Sequence, residues 1–352
     1  RSVSPIADLK AFVGLIHTIK SYKPDVIHTH TAKAGVLGRL ASIIAGRGAI
    51  RIHTFHGHLL HGYFAGWKTK LVVAIEKFLA KRTHFLVAIG NEVKSDLLKA
   101  GIGNESQYSV FFPGLPKPQT ASKAELRKHL ELDSATIYCT FVGRLTQIKR
   151  PDRLLDVAAA AVARGLDVQF LVAGEGELFE ASQSRAIEEN LPVTFLGWRK
   201  DIDQLFAASD IAILTSDNEG IPLTLIQAAQ AGLPIVATNV GSIKDIVIDG
   251  ETGFLTSTQP GAMASALSAL VTDIDLRDNL GMAGRAHAKK YFSLEYLVVH
   301  VVGMPAYGGQ EHSGQRVRRG ANGPAGPPAG LAAGHRQHDR RVRFPANRAA
   351  LR

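Results

Sequence analysis

EGIPLTLIQAAQAGL, residues 219–233, sets an acid and a small turn ahead of a proline and a run of small and apolar residues. Pro222 has a backbone angle suited to a first helical turn and lacks an N–H that would be unpaired there. A helix is therefore expected over 223–231, beginning at Pro222. The N–H groups of Ile221 and Leu223 then face outward, with the positive end of the helix dipole behind them. Such a helix start binds anions, and Glu219 is expected at its lip with Gly220 in the turn. Gln227, five residues beyond Pro222, falls roughly 7 to 8 Å further along the axis, so one phosphate-bearing ligand could touch both ends. The stretch lies between β-rich runs at 211–215 and 235–238, which makes it part of a strand–helix–strand unit.

The same alternation extends outward from residue 25 to about residue 255. Strands are expected at 26–30, 50–55, 84–89, 137–143, 168–173 and 193–197, with helices at 7–22, 68–81, 91–100, 152–164 and 202–209. This is the pattern of α/β units whose parallel sheets are buried on both faces. PGLPKPQT at 113–120 holds three prolines and breaks the pattern, so it reads as a linker. The expected organisation is one domain over 1–117 and a second over 118–292. A cut-short final helix opening at Ser293 and a basic tail make up 293–352. The chain opens on a helix without a Met, and its first domain is expected to lack one or more initial strands. The Gly-, Pro-, Ala- and Arg-rich segment 320–352 has no hydrophobic period and is read as a disordered, frameshifted or read-through end.

A chain of 352 residues, 45% hydrophobic, is long enough for two cores. The lone Cys139 excludes an internal disulfide framework and suits a reducing cytosol. No apolar run reaches the length of a membrane span and no signal peptide is visible, so a cytoplasmic protein is expected. The net charge of +10 invites a nucleic-acid role, but residues 301–352 carry nine Arg against only Glu311 and Asp339. The rest is nearly balanced, and no nucleic-acid partner is expected.

FVGRLTQIKRPDRLL, residues 141–155, ends a strand at Gly143 and places Arg144 and Lys149 just before a helix. Two cations there suit a diphosphate: Arg binds phosphate oxygens in pairs and Lys supplies a point charge. The alternative is a loop with solvated charges. VAGEGEL, residues 172–178, puts Gly174 and Gly176 after a strand, for close approach of a ligand or simply for a tight strand-to-helix turn. With Phe179 in place of a third glycine, it is not a full dinucleotide fingerprint. His28, His30, His53, His56, His58 and His61 cluster in the first domain, and a zinc site is one reading. No Asp or Glu lies between Asp25 and Glu76 to complete a metal-hydrolase set, and core or supporting histidines are the other reading. His56, in the loop after Thr54 and Phe55, is the best placed to face a cleft. KTKLVVAIEKFLAKR, residues 68–82, reads as a basic amphipathic helix, either packed on the surface or lying against an anionic membrane.

Taken together, these segments resemble the family 4 retaining glycosyltransferases. The resemblance runs from about residue 6 to 292. It rests on FVGRL with Lys149, GEG at 174–176, FLGW at 195–198 and EGIPLTLIQAAQAGLPIVATNVGSIKDIVIDGETGFL at 219–255. KPDVIHTHTAKAG at 23–35 and HTFHGH at 53–58 add to it. It implies the GT-B fold, two Rossmann-like domains facing across a cleft, and sugar transfer with retention from a nucleotide diphosphate sugar to a hydroxyl acceptor. By position it implies that Arg144 and Lys149 neutralise the leaving diphosphate and that His56 lies beside the reacting sugar. Glu219 would hold the donor-sugar hydroxyls, the amides of Gly220, Ile221 and Leu223 the sugar and phosphate, and position 227 the ribose. Gly143, Gly174 and Pro222 complete the donor site, and Arg199, after Trp198, falls near the base.

The sequence departs from the family at three places. Gln227 replaces the second Glu of the E-x7-E pattern, Pro222 often corresponds to Gly, and the family's first strand with its Gly-rich loop is expected to be missing ahead of the helix at 7–22. No metal or other cofactor is implied. The implied partners are a nucleotide-sugar donor and a saccharide or lipid-linked saccharide acceptor of cell-envelope or exopolysaccharide synthesis, with peripheral contact at the inner membrane face left open. A non-hydrolysing nucleotide-sugar epimerase and a catalytically silent nucleotide-sugar binder are the alternatives.

Overall fold

The computed structural model describes residues 4–57, 67–118 and 121–303. His58, His61 and the tail beyond 303 lie outside the described residues.

The first domain starts with α1 (Pro5–Tyr22), β1 (Val26–His30), α2 (Ala32–Ala45) and β2 (Ile50–Phe55). It continues with α3 (Trp67–Ala80), β3 (Phe85–Ala88), α4 (Asn91–Lys99) and β4 (Tyr108–Val110). Its sheet is parallel throughout, in the order β1-β2-β3-β4. The second domain holds α5 (Lys123–His129), β5 (Tyr138–Val142), α6 (Pro151–Ala163), β6 (Gln169–Ala173), α7 (Phe179–Glu188) and β7 (Val193–Gly197). After these come α8 (Ile202–Ala208), β8 (Ile211–Leu214), α9 (Leu223–Ala231), β9 (Ile235–Thr238), β10 (Gly253–Thr256), α10 (Pro260–Thr272), α11 (Ile274–Tyr291) and α12 (Leu294–Val302). Its six-stranded sheet, β10-β9-β8-β5-β6-β7, is also parallel.

β5, β8 and β9 are buried at every position, as central strands covered by helices on both faces must be. β4 and β10 were not among the expected strands. β4 is only three residues long and β10 opens on Gly253 directly after a polar turn, so neither shows a period, and pairing with β3 and β9 makes each a strand. α2, with Gly35, Gly38, Ala41 and Ser42 buried, was missed because small residues leave no apolar stripe.

The order of the second sheet reverses between β8 and β5, which are adjacent in space although β6 and β7 separate them in sequence. In open parallel sheets the crevice at the carboxyl ends of such a strand pair is where ligands bind. The loop 143–150 leaves β5 at this end, and the loop 215–222 leaves β8 beside it.

Two buried ion pairs organise the surroundings. Arg39 on α2 and Glu76 on α3, each 1% exposed, meet through two hydrogen bonds of 2.7 and 2.8 Å. In the second domain, Asp210 accepts Arg127 at 2.6 Å and Lys123 at 2.5 Å, tying α5 to the entry of β8. The segment expected to be a linker is docked: Leu115 pairs with Ser293, and the Phe112 ring lies 5.0 Å from that of Phe292. Ser293 caps α12, which runs to Val302.

Candidate active site

Glu219 is not at a lip. It is 9% exposed, and its Oε1 accepts Lys149 Nζ at 2.5 Å and Ser216 Oγ at 2.5 Å. The sequence, with these residues seventy positions apart, gave no sign that the acid and the cation would meet. The topology brings them together by placing the β5 and β8 loops side by side. Asp217 N donates to Ile148 O at 2.9 Å, and Thr215 Oγ1 donates to Lys149 O at 2.9 Å, so the two loops form one surface.

The other cations of the first loop serve this joint. Arg150, in left-handed conformation at φ 54°, pairs with Asp152 and Asp217. Arg153 holds Asp217 at 2.6 Å and Thr215 O at 2.5 Å. Arg144 is exposed and has no acidic partner among the described residues.

α9 starts one residue later than expected. Pro222 is its N-cap, extended at ψ 110°, and the helix runs from Leu223. The first bond back to the cap is Leu225 N to Pro222 O at 3.0 Å. The N–H groups of Ile221, Leu223 and Thr224 have no partner among the described residues, so the shifted helix start still leaves open donors of the kind that suit an anion. Ile221 itself is buried, and only its backbone can serve there. Gln227 donates to Asp203 on α8 at 2.9 Å, a bond that the spacing along one helix could not foresee.

Gly174 was expected to admit a ligand, but it admits the protein's own backbone. At φ 140°, a Cβ there would come within 1.9 Å of Gly143 O, while one on Gly176 would meet Leu145 O at 2.3 Å. Gly174 N also donates to Gly197 O at 2.7 Å. These glycines seat the Gly143–Leu145 backbone, from which Arg144 projects. Arg199 is held by Asp201 through bonds of 2.9 and 2.5 Å.

The first domain reaches this surface through His56 and Gly57. A Cβ on Gly220 would lie 3.1 Å from His56 O and 3.2 Å from Gly57 Cα, so the residue after Glu219 is small because the opposite loop passes over it. His56 is exposed, and its Nε2 lies 2.9 Å from His30 Nδ1. The His30 ring in turn lies 4.2 Å from His28, whose Nε2 is 2.7 Å from Thr54 Oγ1. Burial, then His30 and His56, press the His28 pKa down to about 4. His56 is lowered by burial and His30.

His53 points away into the core. Its Nδ1 lies 2.9 Å from Thr29 Oγ1, and burial followed by Arg39 pushes its pKa down to about 2. Among the described residues no three His, Cys, Asp or Glu side chains gather as a metal cage. Sequence reasoning missed Ser216, since a serine three residues ahead of an acid carries no signal of its own.

A doubly wound domain with an acid, two cations and a bare helix start at its switch point, faced by a second α/β domain, defines a two-domain enzyme class built for phosphate-bearing donors. Residues 136–273 match the family described as glycosyl transferases group 1, and residues 1–110 match the glycosyl transferase 4-like domain. The chain is 33% identical over 268 residues to the Escherichia coli UDP-Gal:alpha-D-GlcNAc-diphosphoundecaprenol alpha-1,3-galactosyltransferase, covering 72% of this chain and 68% of that one. It is 25% identical over 307 residues to the Staphylococcus aureus capsular polysaccharide biosynthesis glycosyltransferase CapM, covering 84% and 80%. In fold it is similar to Anabaena HepE in complex with UDP, at a TM-score of 0.74 and 23% identity over 83% of this chain and 81% of that one. The chain belongs to the group 1 glycosyltransferases, with the GT-B fold, and glycosyl transfer is its reaction class. No helix among the described residues is long and apolar enough to cross a membrane.

Proposed function

We propose that the protein transfers a sugar, with retention of anomeric configuration, from a nucleotide diphosphate sugar to a saccharide or lipid-linked saccharide of the bacterial cell envelope. The observation that carries this reading is the meeting of Lys149 and Glu219 at the switch point, beside the unpaired N–H groups of Ile221, Leu223 and Thr224. An acid and a cation 2.5 Å apart offer adjoining positions for sugar hydroxyls and for phosphate oxygens. The envelope acceptor is supported by the relatives, one named for a diphosphoundecaprenol-linked substrate and the other for capsular polysaccharide biosynthesis.

In this reading the bond between the anomeric carbon and the diphosphate oxygen breaks first, leaving positive charge on the sugar and negative charge on the diphosphate. Lys149, Arg144 and the α9 N–H groups stabilise the departing diphosphate more than the intact donor, and that difference accelerates the reaction. The acceptor oxygen attacks the same face, and its proton passes to the departing phosphate oxygen, so no protein base is needed. Glu219 accepts hydroxyls of the donor sugar through Oε2. His56 lies on the facing loop beside that sugar, neutral because its pKa is lowered. Gly143 and Gly174 shape the diphosphate loop, Gly220 and Pro222 the turn below the sugar, Gln227 faces the ribose, and Arg199 the base. Fixed cations make a metal unnecessary, so a chelator should leave the rate unchanged.

Peripheral contact with the membrane at the cytoplasmic face is part of the same reading. It is supported by α3, where exposed Ile75 and Phe78 line an apolar groove of about 370 Å³ shared with α2, and where Leu71 is exposed and Lys70 and Lys77 lie on the same helix.

The test is a turnover assay with nucleotide diphosphate sugars and polyprenyl diphosphate sugar acceptors, followed by NMR of the product's anomeric proton. Transfer with retention, abolished in Arg144→Ala, is expected. An inverted product, or interconversion of the free donor without acceptor, would overturn the reading.

A further inference from the structure

Glu219 is held at one oxygen. Oε1 accepts both Lys149 Nζ and Ser216 Oγ, while Oε2 has no partner among the described residues. The two donors differ in kind. Lys149 brings a charge that the diphosphate also attracts, so its grip on Glu219 weakens as it turns toward phosphate. Ser216 is neutral and fully buried, and its one hydroxyl proton is committed to the carboxylate. Its main chain is anchored as well: the Ser216 carbonyl accepts Thr238 Oγ1 at 2.6 Å from the end of β9, and Thr238 is itself fully buried. The Ser216 hydroxyl is thus a rigid donor backed by the central sheet.

We propose that Ser216 is a positioning residue for the donor sugar, holding Glu219 by Oε1 so that Oε2 stays presented to a sugar hydroxyl while Lys149 serves the diphosphate. This rests on the glycosyltransferase reading of the site. A hydrogen bond to a charged group is strong enough to matter here, and it acts on the sugar and not on the nucleotide.

The discriminating quantity is the ratio of affinities for a nucleotide sugar and its bare nucleotide. Calorimetry would use two pairs, UDP-galactose with UDP and GDP-mannose with GDP, on wild type, Ser216→Ala and Ser216→Thr, with thermal midpoints recorded for each. Wild type should bind the sugar form more tightly in at least one pair. In Ser216→Ala the nucleotide alone should bind within twofold of wild type, while the advantage of the sugar form falls by about tenfold. Ser216→Thr, which restores the hydroxyl, should recover most of it.

A wild type that favours neither sugar form would overturn the donor-site reading. A wild type that does so while Ser216→Ala keeps the full advantage would overturn the positioning role alone. Equal weakening of sugar form and nucleotide would also overturn it, since that is the mark of a collapsed loop. Should Ser216→Ala fail to fold, the near-isosteric Ser216→Cys replaces it, and an undiminished sugar advantage there overturns the proposal equally.

Discussion

Asp245 of the second domain caps a helix of the first: its Oδ2 accepts the backbone N–H of Asn91 at 2.8 Å and its Oδ1 the Asn91 side-chain amide at 2.8 Å. Gly90, the N-cap of α4, has no side chain with which to do this, and none would fit, because a Cβ there would come within 2.4 Å of Ser242 Oγ. Lys244 pairs with Glu92 alongside. The start of α4 is therefore completed only when the two domains are together. Asp245→Ala should cost about 1 kcal/mol, the usual worth of a cap, and Asp245→Asn distinctly less. Chemical denaturation followed by circular dichroism measures this, and an unchanged midpoint in Asp245→Ala would show that the contact carries no stability.

Removal of Lys149 should separate chemistry from folding. Lys149→Ala leaves Glu219 in its buried position without its cation and takes charge from the diphosphate. Turnover should fall by about 10² to 10³, the usual loss for a group that stabilises developing charge. Near-normal rates in this variant would remove Lys149 from the mechanism.

The Arg39–Glu76 pair predicts a non-additive pair of substitutions. Glu76→Ala alone strands a guanidinium that is 1% exposed and should cost about 3 to 5 kcal/mol. Replacing both, as Arg39→Met with Glu76→Leu, should come far closer to wild type. Urea unfolding of the two singles and the double measures the coupling, and strict additivity would contradict it.

Two glycines in left-handed conformations should respond differently to alanine. Gly250→Ala, at φ 74° with open space around it, should cost about 1 kcal/mol from backbone strain alone. Gly174→Ala, whose Cβ would strike Gly143 O, must displace the loop that carries Arg144 and should lose both stability and donor affinity. Equal thermal shifts in the two variants would argue against this packing.

His53 makes the first domain acid-sensitive. Its folded pKa is pushed down to about 2, below the ordinary 6.5, so the unfolded chain binds the proton more readily. Its contribution is complete above about pH 6.5 and is lost as pH falls toward 2. The slope is about 1.4 kcal/mol per pH unit for one proton. His28, lowered to about 4, acts in the same sense between 6.5 and 4. Thermal midpoints from pH 7 to 4 should fall, and His53→Gln should flatten the slope; an unchanged slope would assign the loss to other groups.

The fold was legible because a parallel sheet leaves a strong local record. Strands such as β8 and the largely apolar β5 are short and bounded by turns, and helices such as α6 between them are amphipathic. Pro222 and the small residues after it announced the start of α9 to within one residue, since a proline can occupy few places near a helix. The residue types suited to phosphate, Arg144 and Lys149 before α6, could be picked out for the same reason: their chemistry belongs to the side chain.

What the linear chain could not contain is who faces whom. Arg144 and Arg150 look alike in sequence, but Asp217 of the neighbouring β8 loop, together with the local Asp152, turns Arg150 into a structural clip, while Arg144 stays exposed. The glycines at 174 and 220 fit ligand approach as well as backbone contact, and their neighbours Gly143 and His56 come from distant segments. The sequence by itself determined the α/β class, the helix start to within one residue and the residue types suited to phosphate, because those follow from local backbone preference and side-chain chemistry. Only the tertiary structure decided that Lys149 reaches the Glu219 that Ser216 holds from within the same loop, because the reversal of strand order between β8 and β5 joins loops seventy residues apart.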